Sequence, residues 1–328
     1  MDRRTFLGTL AGSLFVPALR AGAQPRVSKT VPMVGVLHLG SRDLTFPSVA
    51  ALRQGLRALG YTEGRNIALE YRWAEAKVDV LPLLAAELVR LNVDVLYASG
   101  PQAMRAAVVA SRTIPIVGDN LEDDPVADGL VASIGRPGGN LTGFFLNLPD
   151  LTAKWLQLIR EILPGARRVA VLWDATTNSS QVRAVTTAAQ AAMVELRVLE
   201  VRRSTEYAGV LRTSLKERPQ ALLQLSSPLI RQASALVAEF TLRNRLPAIS
   251  MFRLFAEAGG LMAYGPDLPA FFSRTASYVD KILKGTPPGD LPIEQPATFE
   301  LLINLKTARA LGLAIPPVLL ARADQVIE

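Results

Sequence analysis

No cysteine occurs in the 328 residues, and His38 is the only histidine. The first absence excludes disulfides, thiol nucleophiles, thiolate metal sites and a lipid anchor carried on cysteine. The second excludes paired-histidine zinc sites, including every H-E-x-x-H helix. His38 sits inside a strand pattern and reads as a core or strand-end histidine rather than as a general base. Aromatic residues are scarce, at 6%. No serine stands in a G-x-S-x-G elbow, and no carboxylates are paired for acid–base work, since Asp123 and Asp124 are adjacent and their side chains diverge. Low-complexity tracts and short repeats are also missing. No catalytic residue, metal site or cofactor is expected.

What is present is an apolar fraction of 49%, ample for a large core, in a chain long enough to favour two domains. The N-terminal stretch MDRRTFLGTLAGSLFVPALRAGAQ stands apart. Arg3 and Arg4 precede an apolar run from Phe6 to Leu19, followed by the small-x-small cleavage pattern Ala21-Gly22-Ala23. The run is too short to span a bilayer. Residues 1–23 are expected to be a signal peptide cleaved near Ala23, which places the mature product in the periplasm. Arg-Arg-Thr-Phe-Leu is similar to a twin-arginine signal. The formal charge is +7; the leader carries three arginines against Asp2, so the surplus shrinks on cleavage. The remaining basic doublets, Arg167-Arg168 and Arg202-Arg203, are isolated, and no nucleic-acid partner is expected.

The body alternates short β-branched runs with helix-period stretches. Strands are expected at 31–40, 67–73, 93–99 and 114–119, with helices at 47–59, 79–91 and 101–112. After residue 150 the pattern restarts. A helix is expected with Thr152 as cap and Trp155, Ile159 and Ile162 inward. Strands follow at 168–173, 196–201, 221–226, 247–251 and 260–265, between helices at 178–193, 206–216 and 228–244. Helix 268–284 and segment 297–312 form a tail. Such alternation predicts βαβ units and parallel sheets.

The junction between the two halves reads GRPGGNLTG (135–143). Gly139 is followed by Asn140 and Leu141, not by the Lys-Ser/Thr of a phosphate loop. The segment then runs into an extended apolar stretch rather than a helix. It is expected to be a turn, with Leu141–Phe145 crossing between the halves.

Several stretches in this order carry a resemblance: Gly60-Tyr61-Thr62-Glu63-Gly64-Arg65-Asn66; Asp124-Pro125-Val126 to Gly129-Leu130-Val131; GRPGGNLTG; Gly259 to Pro266; Tyr278 to Gly285; Leu291 to Pro296; and Asn304 to Ala308 through Ile315-Pro316-Pro317 to Ala323–Glu328. Together they resemble the ABC-transporter substrate-binding proteins that include tryptophan/tyrosine-type receptors, with the type I periplasmic-binding fold. The resemblance implies two Rossmann-like α/β lobes with parallel sheets, joined by a three-crossing hinge. Lobe 1 would be 31–143 plus 265–293, and lobe 2 would be 147–262 plus 298–328. The crossings would fall near Leu141–Asn147, Met262–Pro266 and Pro292–Phe299.

Ligands of open α/β sheets sit beyond the carboxyl ends of the strands. The candidate ligand-binding residues there are Gly40, Ser41, Ser99, Gly100, Gln102 and Asp124 in lobe 1, and Asp174, Asn178, Ser226, Ser250, Phe252 and Tyr264 in lobe 2. Hydroxyls and helix starts suit a carboxylate, Asp124 suits an ammonium, and Met251, Phe252 and Tyr264 suit an apolar body. Against this stand plainer roles: Ser41, Ser99, Ser226 and Asn178 as helix caps, Asp119 to Asp124 as a solvated acidic loop, and Phe252 and Tyr264 as packing. The expected function is a receptor that delivers an amino acid, an aromatic one among the candidates, or a related small carboxylate to an ABC transporter permease. An exported α/β enzyme acting on a small acid and a periplasmic sensor subunit are the alternatives.

Overall fold

The computed structural model describes residues 31–42, 47–121 and 124–328. The expected signal peptide lies outside the described residues, as do Glu122 and Asp123. The first half runs β1 (Met33–His38), α1 (Pro47–Ala58), β2 (Ala68–Trp73), α2 (Leu81–Arg90), β3 (Val95–Ser99), α3 (Pro101–Ala110), β4 (Ile116–Gly118) and β5 (Leu141–Gly143). The second runs α4 (Leu148–Ile162), β6 (Arg168–Asp174), α5 (Ser180–Ala191), β7 (Glu195–Val201), α6 (Tyr207–Ser214), β8 (Ala221–Gln224), α7 (Pro228–Gln232), α8 (Ser234–Arg243), β9 (Ala248–Ser250), α9 (Arg253–Glu257) and β10 (Met262–Pro266). The tail holds α10 (Leu268–Ser273), α11 (Thr275–Leu283), β11 (Phe299–Asn304), α12 (Leu305–Leu311), α13 (Pro317–Ala321) and β12 (Gln325–Ile327).

Two α/β lobes result. One holds a five-stranded sheet, β2-β1-β3-β4-β5, and the other a seven-stranded sheet, β12-β11-β10-β9-β8-β6-β7. Interior strands such as β3 and β8 are buried along their whole length, as expected where helices cover both faces of a parallel sheet. One pair departs from the parallel expectation: β10 and β11 are antiparallel, with Pro266 opposite Phe299. The chain leaves the second sheet at Pro266, packs α10 and α11 against α1, and re-enters at the same end, so the returning strand must run backwards. The crossing expected at Met262–Pro266 therefore begins after Pro266, because that whole segment is ladder-paired.

Two expected helices are each broken in two. The 228–244 stretch divides at Ala233, where the Ser234 hydroxyl donates to Arg231 O at 2.7 Å. The 268–284 stretch divides at Arg274, where the Thr275 hydroxyl donates to Phe272 O. In both places a hydroxyl takes a carbonyl of the preceding turn and competes with the helical ladder. The expected Thr152 cap is also displaced. Helix α4 starts after Asn147, which is left-handed at φ 48°, with a proline in its first turn. Thr152 lies inside the helix and donates to Pro149 O at 2.7 Å. Proline is tolerated there because the first-turn N–H groups lack helical partners.

The glycine-rich junction ends in a structural requirement. Gly143 has φ 142°, and a Cβ there would lie 2.0 Å from Gly118 O on the paired strand β4. Backbone, not a movable side chain, blocks the space. Gly143→Ala is expected to cost about 2–3 kcal/mol in urea unfolding through strain and displacement of β5.

The lobes share apolar packing at the crossings. The Phe144 ring stands edge-on to Phe271 at 5.0 Å and tilted to Tyr278 at 5.1 Å. Trp155 of α4 is fully buried and donates Nε1–H to Tyr264 O at 2.7 Å.

Candidate functional site

A cavity opens where the carboxyl ends of the two sheets face each other, the place where ligands of open α/β sheets sit. Lobe 1 supplies His38 at the end of β1, Ser48 on α1, Ser99 at the end of β3, and Asp119 and Asn120 after β4. Lobe 2 supplies Ser226, Ser227, Pro228 and Arg231 after β8, and Met251 and Phe252 after β9. Leu146 from the first crossing and Leu268 and Phe272 of α10 close the apolar side.

The lobe 1 wall is built around Asp119, which is almost wholly buried. Its Oδ2 accepts from the Tyr97 hydroxyl and the Ser99 hydroxyl, both at 2.6 Å. Its Oδ1 accepts from Gly100 N at 2.8 Å. Ser99 Oγ lies 2.9 Å from Ser48 Oγ; since the Ser99 proton goes to Asp119, Ser48 donates to Ser99. Burial pushes the Asp119 carboxyl above its ordinary value, against the lowering pull of these hydrogen bonds, and burial beside Asp119 raises Tyr97 likewise. The plainer role weighed for Asp119, a place in a solvated acidic loop, does not describe it. It is instead the acceptor on which three donors from β3 and its following turn converge.

His38 accepts the Gly40 N–H on Nδ1 at 2.7 Å, so a neutral ring carries its proton on Nε2. Burial, with the Arg231 guanidinium nearby, pulls its pKa from 6.5 to about 3. Opposite it, Ser226 is clamped by Gln181, whose Nε2 donates to Ser226 O at 2.9 Å while Oε1 accepts from Ser226 N at 2.8 Å. Ser227 caps α7, accepting from Ile230 N at 3.0 Å. Arg231, half-buried on α7, has its proton affinity lowered by desolvation alone.

Of the residues expected at the site, Ser99, Ser226 and Phe252 line the cavity. Gly40 and Gly100 do not line it, but their N–H groups orient His38 and Asp119. Gln102 lies just beyond and reaches across, donating to Thr176 Oγ1 of lobe 2 at 3.3 Å. Ser41 is half-buried with no contact to the cavity. The others are placed elsewhere. Asp124 is exposed, and its Oδ1 accepts from Val126 N and Ala127 N at 3.0 and 3.2 Å, closing a turn. Asp174 is buried off the cavity; its Oδ1 accepts from Thr176 N and Oγ1 at 2.9 and 2.6 Å. Asn178 secures the start of α5 by accepting from Ser180 N at 3.0 Å. Ser250 is fully buried and accepts from Phe252 N at 3.3 Å. Tyr264 stacks on Phe299 at 5.9 Å, as packing at the second crossing.

Ser48, Asn120 and Arg231 were not singled out by sequence, and His38 was read as a core or strand-end histidine rather than as part of the site. One signal for Arg231 was available: it falls in the first turn of the expected 228–244 helix, where a cation runs against the helix dipole.

The family model described as ABC transporter substrate binding protein matches residues 33–327. A tyrosine-binding protein of Clostridioides difficile (strain R20291) is 26% identical over 294 residues, covering 87% of this chain and 82% of that protein. The crystal structure of an ABC domain in complex with L-Trp from Streptococcus pneumonia superposes with TM-score 0.82 at 23% identity, covering 90% of this chain and all of that one. A conserved domain protein from Vibrio cholerae O1 biovar El Tor gives TM-score 0.81 at 27% identity, covering 91% of this chain and all of that one.

Proposed function

The chain belongs to the ABC transporter substrate-binding protein family, and on that premise we propose that it is an exported receptor that clasps a small carboxylate-bearing solute between its lobes. The closed form is the one presented to the permease of an ABC importer, and the periplasm is its place of work, reached by way of the signal peptide at residues 1–23. The relatives' printed ligands, tyrosine and L-Trp, support a solute of amino-acid size. No helix among the described residues is long and apolar enough to cross a membrane, so delivery requires a partner that does.

The observation that carries the reading is the cavity walled by both lobes. Turning a rare closed form into the dominant one needs a differential affinity of about 5.5 kcal/mol. Contacts to a single lobe exist equally in open and closed forms and supply none of it. Here Ser99 and Asn120 face Ser226 and Arg231 across the same space, so a solute engages both walls only on closure. The two groups best placed for acid–base chemistry are poorly tuned for it near neutral pH: His38 is held neutral with Nδ1 occupied, and both oxygens of Asp119 already accept protein donors. That favours gripping over turnover.

A thermal-shift screen of amino acids, aromatic and aliphatic acids, amides and sugars tests the reading, because binding to the native state raises the melting point by mass action. At least one compound is expected to raise it, with the compaction of lobe closure visible in small-angle scattering. A screen with no shift anywhere rejects the receptor reading. The bridge from Gln102 to Thr176 adds a second check. Gln102→Ala is expected to weaken binding about five-fold, a loss of about 1 kcal/mol for one neutral hydrogen bond, without changing the order of preferred solutes. Unchanged affinity would remove this bridge from closure.

A further inference from the structure

Among the described residues, Arg231 is the one full charge in the cavity that other groups leave uncompensated. No ion pair or side-chain hydrogen bond joins its guanidinium to any described residue, and desolvation is the sole influence on it. A guanidinium stays protonated under all working conditions, and a desolvated charge without a partner is costly. Two-pronged pairing with a carboxylate is the arrangement that best satisfies it.

The same cavity offers a cation no open carboxylate among the described residues. Among the described residues Asp119 is the only carboxylate lining it, and its oxygens already accept from Tyr97, Ser99 and Gly100. Asp124, the residue sequence suggested for an ammonium, is exposed and holds a turn. Ser227 Oγ accepts from Ile230 N. An ammonium brought here would trade full hydration for few acceptors, in the field of Arg231. The apolar part of the same wall is formed by Leu146, Met251, Phe252, Leu268 and Phe272.

Resting on the receptor reading above, we infer that the cavity selects an amine-free carboxylic acid with an apolar or aromatic body, held through Arg231, over the zwitterionic amino acid of the same shape. Matched pairs isolate the amine: 3-phenylpropionate against L-phenylalanine, and indole-3-propionate against L-tryptophan, with 3-phenylpropionamide as the neutral control. The measurement is isothermal titration on the mature exported chain. The acid of each pair is expected to bind at least about ten-fold tighter than the amino acid, with the amide weaker than either, since a charged site left unpaired discriminates strongly. Arg231→Gln is expected to weaken acid binding about thirty-fold or more, as when one partner of a desolvated charge pair is truncated. The unliganded melting point should stay level or rise, because an uncompensated charge has been removed; that measurement also shows that the variant folds.

An amino acid that binds as tightly as its acid, or tighter, overturns the inference and leaves the receptor reading standing. So does acid binding unaffected by Arg231→Gln, and so does binding confined to neutral solutes. Absence of binding by every compound overturns both.

Discussion

Asp119→Ala is expected to lower the unfolding free energy by about 3–5 kcal/mol, on the order of 10 °C in melting point for a chain of this size. Three donors converge on this carboxylate: the Tyr97 hydroxyl, the Ser99 hydroxyl and Gly100 N. Tyr97 is fully buried, and a buried donor without an acceptor costs about 1–3 kcal/mol. The hydroxyls can turn towards other acceptors, but the Gly100 N–H is fixed by the backbone. Gly100 itself is at φ 85°, outside the range most residues adopt, so the turn from β3 into α3 depends on that bond. Asp119→Asn is the discriminating control. Its amide oxygen can face Gly100 and its NH2 can face two hydroxyls able to accept, so it should recover most of the loss. If Asn destabilises as much as Ala in chemical unfolding, the ionised carboxylate itself is required and the hydrogen-bond account fails.

The second large effect is a dependence of stability on pH set by His38. Burial first, and the Arg231 guanidinium second, pull its pKa from 6.5 to about 3. Protonation would put a proton on Nδ1, opposite the Gly40 N–H that it now accepts at 2.7 Å. Between pH 6.5 and about 3 the unfolded chain therefore binds a proton that the folded chain refuses. The stability owed to neutral His38 is complete above pH 6.5 and is lost as pH falls through that window. The loss should reach about 2 kcal/mol by pH 5 and about 4–5 kcal/mol across the window. Asp119 acts in the opposite sense: its raised carboxyl pKa adds stability at low pH that disappears as pH rises. Urea midpoints from pH 7.5 to 5, above the range where most carboxylates titrate, are compared between the unaltered protein and a His38 variant, so that any contribution from Asp119 is common to both. His38→Asn keeps an acceptor for Gly40 and should flatten the slope. A slope identical to that of the unaltered protein would exclude His38 as its source.

Local pattern carried much of the architecture. The alternation of β-branched runs with 3.6-period stretches is a property of neighbouring residues, and it marked the strands around Val36, Tyr97, Val171 and Leu223 that became the two sheets. It also excluded a phosphate loop at GRPGGNLTG. Helix breaks at Ser234 and Thr275 escaped it, because their hydroxyls compete with the ladder without changing the apolar spacing. The antiparallel β10–β11 pair escaped too, because strand direction depends on where the tail returns.

The amino-acid sequence by itself determined that this is an α/β protein of two lobes, cysteine-free and with one histidine, whose strand ends carry hydroxyls and small residues. Only the tertiary structure decided which of those ends face the cavity. Asp119 and Asp124 are five positions apart, yet one is sealed under three donors and the other closes an exposed turn. Gln102 meets Thr176 at a separation of 74 residues, and Arg231 lies close enough to His38 to affect its charging. Burial and pairing are relations between distant segments, so hydropathy period, which reports only neighbours, does not contain them.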